Sequence, residues 1–270
     1  MNALLIFFRN IYHHRYLIAQ MTRREISQRY RGSALSLAWT VLNPLVMLSI
    51  YTFVFSVVFK ARWGSGDAEE SRVAFAITLF SGMIVFNLFA DIINRAPSLI
   101  LSNVNFVKKV IFPLEILPLV SIGVVLFHSC ISLIVLFAAQ LVLDGYIQFT
   151  IIYLPLIVLP LLLIGLGVSW ILSSLTVYIR DMTQITGVIT TLLMFTSAVF
   201  FPIESLPDEY QAAMRLNPVA TIITESRNAL IFGQAPDWAW LSLMMLIGLA
   251  IAAGGYWWFQ KTRKGFADVL

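Results

Sequence analysis

Residues 150–178, TIIYLPLIVLPLLLIGLGVSWILSSLTVY, run for 29 positions without a charged side chain. Crossing the hydrocarbon core of a bilayer as a helix takes about 20 apolar residues at about 1.5 Å of rise each. This stretch is long enough to cross. Five further runs of the same character lie at about 37–59, 73–90, 114–143, 184–201 and 238–259. Apolar residues make up 59% of the 270 positions and charged residues 12%, against about 45–50% and about 25% in soluble domains. The expected fold class is therefore all-α, a polytopic membrane protein with six transmembrane helices.

The segments between the runs sort by charge. Residues 1–36, 91–113, 179–183 and 260–270 hold 13 of the 18 Lys and Arg residues against four acids, Glu25, Asp91, Asp181 and Asp268. The alternate segments hold five basic residues and nine acids, while Glu115 sits at the mouth of the third run. Positive charge collects on the cytoplasmic side of membrane proteins, so both termini are expected there. Cys130 is the sole cysteine; it has no partner for an internal disulfide and reads as a packing residue. The opening stretch MNALLIFFRNIYHH has a short apolar run broken by Arg9 and no small-residue cleavage site, so a retained N-terminus is expected.

No loop is large enough for an independent domain. Segment 1–36 mixes Phe8, Ile11, Tyr12, Tyr16 and Ile18 with six arginines and suits an amphipathic helix on the anionic inner leaflet. Segment 37–270 is then the six-span domain. In 202–237, Pro207 and Pro218 suit the first turns of two short helices, Asn217 an N-cap and Gly233 a C-terminal stop. The second helix is apolar yet carries Glu225 and Arg227, tolerable within a membrane only against protein or water. A re-entrant helical hairpin on the outer side, before the last span, is the expectation.

Several chemistries lack their signatures. There is no HExxH pair, no serine with a histidine base and no GxxxxGK[ST] phosphate loop, and no glycine is followed by lysine. The spans carry almost no charge at their midpoints, which disfavours an ion-coupled carrier. Pro155, Pro160, Gly165 and Gly167 interrupt the fourth run alone, and His128 stands within the third as a structural residue. In the first run, YTFVFSVVFKARW (51–63) spaces Tyr51, Phe55, Phe59 and Trp63 by four, a stripe drifting about 40° per step. Helix packing, lipid contact and the lining of a path are all open to it.

Together the stretches EISQRYRGSALSLAWTVLNPLVMLSIYTFVF (25–55), KKVIFPLEILPL (108–119), VYIRDMTQITGVITTLLMFTSAVFFPIESLP (177–207) and RLNPVATIITESRNALIFGQAP (215–236) carry a family resemblance. The chain, from about residue 15 to 264, resembles the permease subunit of type-2 ABC exporters, in the branch moving O-antigen, capsule or teichoic acid. It departs from the pattern at SALSLAW around Ala38, where glycine is expected before the tryptophan, a matter of helix entry.

The resemblance implies a homodimer that docks two cytoplasmic ATP-binding subunits, with ATP and Mg bound by those partners and no cofactor in this chain. It also implies a lipid-linked glycan substrate, a bacterial inner-membrane location, contact with membrane lipids, and no nucleic acid or enzymatic role. The stretch 95–112 corresponds to the coupling segment, with Asn103, Asn105, Phe106, Lys108 and Lys109 at the ATPase contact. Arg180 and Asp181 are expected to shape the turn into the fifth span. In such permeases the first and fifth spans border the channel, which points Tyr51, Phe55, Phe59 and Trp63, with Phe195, Phe200 and Phe201, toward the substrate path. A type-2 permease for a drug or smaller lipid, and a non-transporting membrane scaffold, are the competing readings.

Overall fold

The computed structural model describes residues 2–30, 36–54, 70–108, 112–143 and 145–270, and every regular element among them is helical. Phe55, Phe59, Trp63 and Lys109 lie outside the described residues. In chain order the helices are α1 (Asn2–Tyr30), α2 (Ser36–Tyr51), α3 (Glu70–Arg95), α4 (Ser98–Leu101), α5 (Val104–Val107), α6 (Leu117–Leu143) and α7 (Leu154–Tyr178). They continue as α8 (Met182–Thr196), α9 (Asp208–Leu216), α10 (Pro218–Leu230), α11 (Trp238–Thr262) and α12 (Phe266–Val269). Among the described residues, four helices are long and apolar enough to cross a membrane: 74–95, 114–143, 149–178 and 238–269. They match the second, third, fourth and sixth predicted runs. The first and fifth runs fall on shorter apolar helices, 38–54 and 182–196.

At the centre stands α3. From Phe75 to Ile93 all of its residues but Asn87 and Asp91 are buried, and α6, α7, α8 and α10 pack around it. A helix that is apolar all round is stable only where neighbours cover it on every side. The closest pairing joins α7 to α11. A methyl group at Gly167 would overlap the backbone of Ile251 and Ala252, and one at Gly255 would overlap that of Gly167. At Gly248 it would press on the Pro160 carbonyl. Small residues let two backbones approach this closely, which is how helices associate where no hydrophobic effect separates protein from solvent. Trp170 is fully buried beside this seam, stacked edge-on against Tyr256 at 5.3 Å and donating its indole N–H to the Glu115 carbonyl at 3.0 Å.

Two expectations are corrected here. Pro160 and Gly167 do not interrupt the fourth run, because α7 is continuous from Leu154 to Tyr178. Pro155 occupies its first turn, where no intrahelical N–H is needed, while Gly167 serves as the point of closest approach to α11. The fifth run does not stay helical to residue 201. Its helix stops at Thr196, and Ala198 takes φ +53°, a left-handed conformation that costs a non-glycine residue about 1–2 kcal/mol. Phe200 and Phe201 therefore follow the helix and are not part of it.

At the end of the bundle where α3 and α11 finish, α1 lies along α6 and α11, with Thr22 seated against Gly123. Glu25 of α1 pairs with Arg95 at the end of α3. Glu115, in a 3-10 turn before α6, is buried and pairs with Arg263 at 2.8 Å. A buried carboxylate is tolerated when a cation and hydrogen bonds meet it, and here the pair ties the start of α6 to the end of α11.

Candidate functional site

At the opposite end, α10 is clamped on all sides. Asn217 caps it, accepting the Val219 N–H at 3.0 Å, while its amide nitrogen donates to the Thr196 carbonyl at 2.8 Å and the Ser197 hydroxyl at 3.1 Å. The helix closes with Gly233 at φ +66° and the Gln234 N–H bonded back to the Asn228 carbonyl at 2.9 Å. Both features follow the expectation for this segment. Its final carbonyls are met by side chains, Thr150 donating to Ala229 at 2.6 Å and Gln140 to Leu230 at 3.1 Å. Glu225 accepts the Asp237 N–H at 3.2 Å.

Arg227 is the hub of this end, 3% exposed. Its guanidinium donates to the Thr78 carbonyl of α3 at 3.1 Å, to the Ala198 carbonyl at 2.6 Å and to the Val199 carbonyl. Gly82 gives it room, since a methyl group there would overlap the guanidinium. The two acceptors lie just past Ser197, the C-cap of α8, near the helix end that carries partial negative charge. Arg227 thus explains both the left-handed turn at Ala198 and the early end of α8.

Asn217 separates the two functions of this junction. Asn217→Asp keeps the acceptor for Val219 but loses the two donations to the end of α8, whereas Asn217→Ala loses all three. A lost N-cap costs about 1 kcal/mol, and lost donations to partly buried acceptors cost about as much again. The melting temperature of the detergent-solubilised protein is expected to fall in the order wild type, Asn217→Asp, Asn217→Ala; equal values for all three would show that the junction is not held by this side chain.

Nearer the middle of the bundle, a cleft of about 560 Å³ runs between α2, α3 and α6. From α2 it is lined by Trp39, Thr40, Asn43, Pro44, Met47 and Tyr51, from α3 by Phe80, Ile84, Asn87 and Asp91, and from α6 by His128, Ser129 and Ser132. The α3 positions recur at steps of four, three and four, so they form one face of that helix. Within the stretch 75–93 of α3, Asn87 and Asp91 are the two exposed positions. The Thr40 hydroxyl is buried without a hydrogen-bond partner.

The remaining expected site residues fall in three places. Tyr51 is half-buried at one end of the cleft. Phe195 is 58% exposed on α8 and meets the half-buried Phe200 at 5.7 Å, with Phe201 next to it in the turn. The expected coupling segment is two single-turn helices, α4 and α5, broken at Ser102 and Asn103. The Asn103 amide donates to the Leu99 carbonyl at 2.9 Å and so fixes that break. Phe106 stacks on Phe112 at 4.3 Å, and Asn105 and Lys108 are exposed. Arg180 and Asp181 are exposed in the turn between α7 and α8, and the Asp181 side chain makes no capping bond there.

Against known proteins, the family model for the ABC-2 type transporter matches residues 16–231. The chain belongs to the ABC-2 type transporter family. Within it, the chain is 25% identical over 264 residues to the O-antigen export system permease protein RfbA of Myxococcus xanthus, covering 97% of this chain and 98% of that protein. It is 22% identical over 270 residues to the protein of the same name in Klebsiella pneumoniae, at 94% and 95% coverage. The polysialic acid transport protein KpsM of Escherichia coli is 21% identical over 245 residues, at 89% and 91%.

For a transporter, the features that sequence reading missed are the cleft and the hub. Asn87 and Asp91, four apart in an apolar run, were the local signal for a polar face on α3. Arg227 was legible as a charge that needs protein or water around it, but its three acceptors, far off in the chain, were not.

Proposed function

We propose that this chain is the permease subunit of an ABC exporter that moves a lipid-linked, O-antigen-like polysaccharide across the bacterial cytoplasmic membrane. It works as a homodimer on two separate ATP-binding subunits. The observation that carries this reading is the near end-to-end similarity to three polysaccharide permeases, together with family membership over residues 16–231. The charge asymmetry of the loops supports both termini on the cytoplasmic side.

The six-span topology is part of this reading. At 15 residues α8 rises about 22 Å, short of the roughly 30 Å hydrocarbon core. The depth left over is filled by α9 and α10 as a re-entrant hairpin. A buried arginine bonded to protein carbonyls is the form in which charge is tolerated below the membrane surface. The segment 98–108, where Ser98, Ser102, Asn105 and Lys108 are exposed, meets the ATPase, and the rings of Tyr51, Phe195, Phe200 and Phe201 border the path. Sugars stack their C–H faces on aromatic rings, and weak repeated contacts permit sliding.

Reconstitution with its ATPase in proteoliposomes tests the reading. ATP-dependent transfer of lipid-linked glycan is expected; ATP hydrolysis with efflux of a small hydrophobic compound and no glycan movement would overturn it. In that assay Tyr51→Ala combined with Phe195→Ala is expected to slow glycan transfer several-fold with ATPase assembly intact. Unchanged transfer would assign both rings to packing or lipid contact.

A further inference from the structure

We infer that Glu115 is a positioning residue for transport: its pair with Arg263 fixes where the segment 98–108 joins the bundle, so that ATP hydrolysis by the partner subunits is converted into movement of glycan. The inference rests on the function proposed above.

Glu115 lies just beyond that segment. Phe106 of α5 stacks on Phe112 at 4.3 Å, and the chain then passes through Pro113 into the 3-10 turn of Leu114, Glu115 and Ile116, each of them buried. This turn is bonded to both members of the closest helix pair. The Glu115 carbonyl accepts the indole N–H of Trp170 on α7 at 3.0 Å, while its carboxylate accepts an N–H of Arg263, the residue that follows α11, at 2.8 Å. Helix α1 touches the turn as well. On the other side of the segment Arg95, the last residue of α3, pairs with Glu25 of α1. The segment is therefore fastened at both ends, through Arg95 to α1 and through Glu115 to α7 and α11.

The two fastenings differ in burial. The Glu115 side chain is 9% exposed and that of Glu25 39%, so water and salt compete less for the Glu115 carboxylate. Stability alone does not call for a charge at this position. An apolar side chain in place of a buried carboxylate is often neutral or stabilising, because desolvation cancels much of the attraction, and Leu114 and Ile116 already bury apolar surface on either side. What a carboxylate and a guanidinium add is direction, since they meet in a narrow range of geometries whereas apolar surfaces slide. The pair selects one register of the turn against α11.

The test uses the complete complex of this chain with its ATPase in proteoliposomes, supplied with the host's own lipid-linked surface polysaccharide, and reads glycan transferred per ATP hydrolysed. Glu115→Gln keeps the shape of the side chain and the carbonyl bonded to Trp170 but removes the charge. It is expected to assemble and to hydrolyse ATP as wild type does, yet to transfer about five-fold less glycan per ATP, the factor that matches an ion pair with one exposed partner. Arg263→Gln should do the same, and the two together no worse than either alone, because one shared interaction is lost only once. Arg263→Lys, which keeps a cation within reach, should recover most of the ratio.

Glycan per ATP equal to wild type in the assembled variants would overturn the inference and leave the function standing. So would a fall in transfer matched by an equal fall in assembled complex and in ATP hydrolysis, which is what a contact serving stability alone would give. A wild type that hydrolyses ATP and moves no glycan would overturn the function, and the inference with it. Should Glu115→Gln not assemble, Arg263→Gln alters the exposed side of the pair and carries the same expected loss.

Discussion

Arg227→Met should leave little folded protein. The substitution keeps an unbranched apolar stem and removes every donor, so the carbonyls of Thr78, Ala198 and Val199 lose the partner that bonds them. Breaking a buried charged network costs about 3–5 kcal/mol, a large share of the about 5–15 kcal/mol that holds a typical fold. Arg227→Lys should be intermediate, because an ammonium offers three donors from a single point where the guanidinium spreads a planar fork across α3 and the end of α8. Gly82→Leu should resemble Arg227→Met, as it fills the space the guanidinium needs. The measurements are monodisperse yield in detergent and melting temperature. A near-normal melting temperature for Arg227→Met would remove Arg227 from the centre of this end of the bundle.

The second large effect is expected one helix away. Gly255→Leu drives a side chain into the Gly167 backbone, and neither helix has a flexible atom there to yield. Helices α7 and α11 must separate, which loosens the edge-on contact of Trp170 with Tyr256. Overpacking of this kind costs about 1–3 kcal/mol where side chains can shift, and more is expected where backbone is met. Gly254→Leu is the control, since nothing lies within 4 Å of a methyl group at that position. Adjacent glycines should therefore differ widely, with a marked fall in melting temperature for Gly255→Leu and almost none for Gly254→Leu. Equal melting temperatures would mean the seam is not as close as described.

What could be read from the chain alone follows the range of the forces involved. Apolar runs announce helices because spanning length is a local count, and the Asn217 cap and Gly233 stop were legible because capping is settled within a few residues. The end of α8 was not legible. Residues 197–201 are as apolar as the helix before them, and what turns the chain there is a guanidinium nearly thirty positions on. Pro160 misled in the opposite sense, since a proline suggests a break wherever the neighbouring helix is unknown. The cleft needed three helices brought together before Asn87, Asp91 and His128 became one surface. The resemblance placed Tyr51 and Phe195 near a path, and the structure puts Tyr51 on the cleft wall and Phe195 on an open face of α8.

The pair between Glu25 and Arg95 has a mechanical consequence. Arg95 stands three residues before α4, so this pair fastens α1 to the end of α3 close to the segment 98–108. Both partners are partly exposed, and a pair of that exposure contributes at most about 1 kcal/mol. Its loss alone should leave α1 in place, because that helix is also seated along α6 and α11, with Thr22 against Gly123.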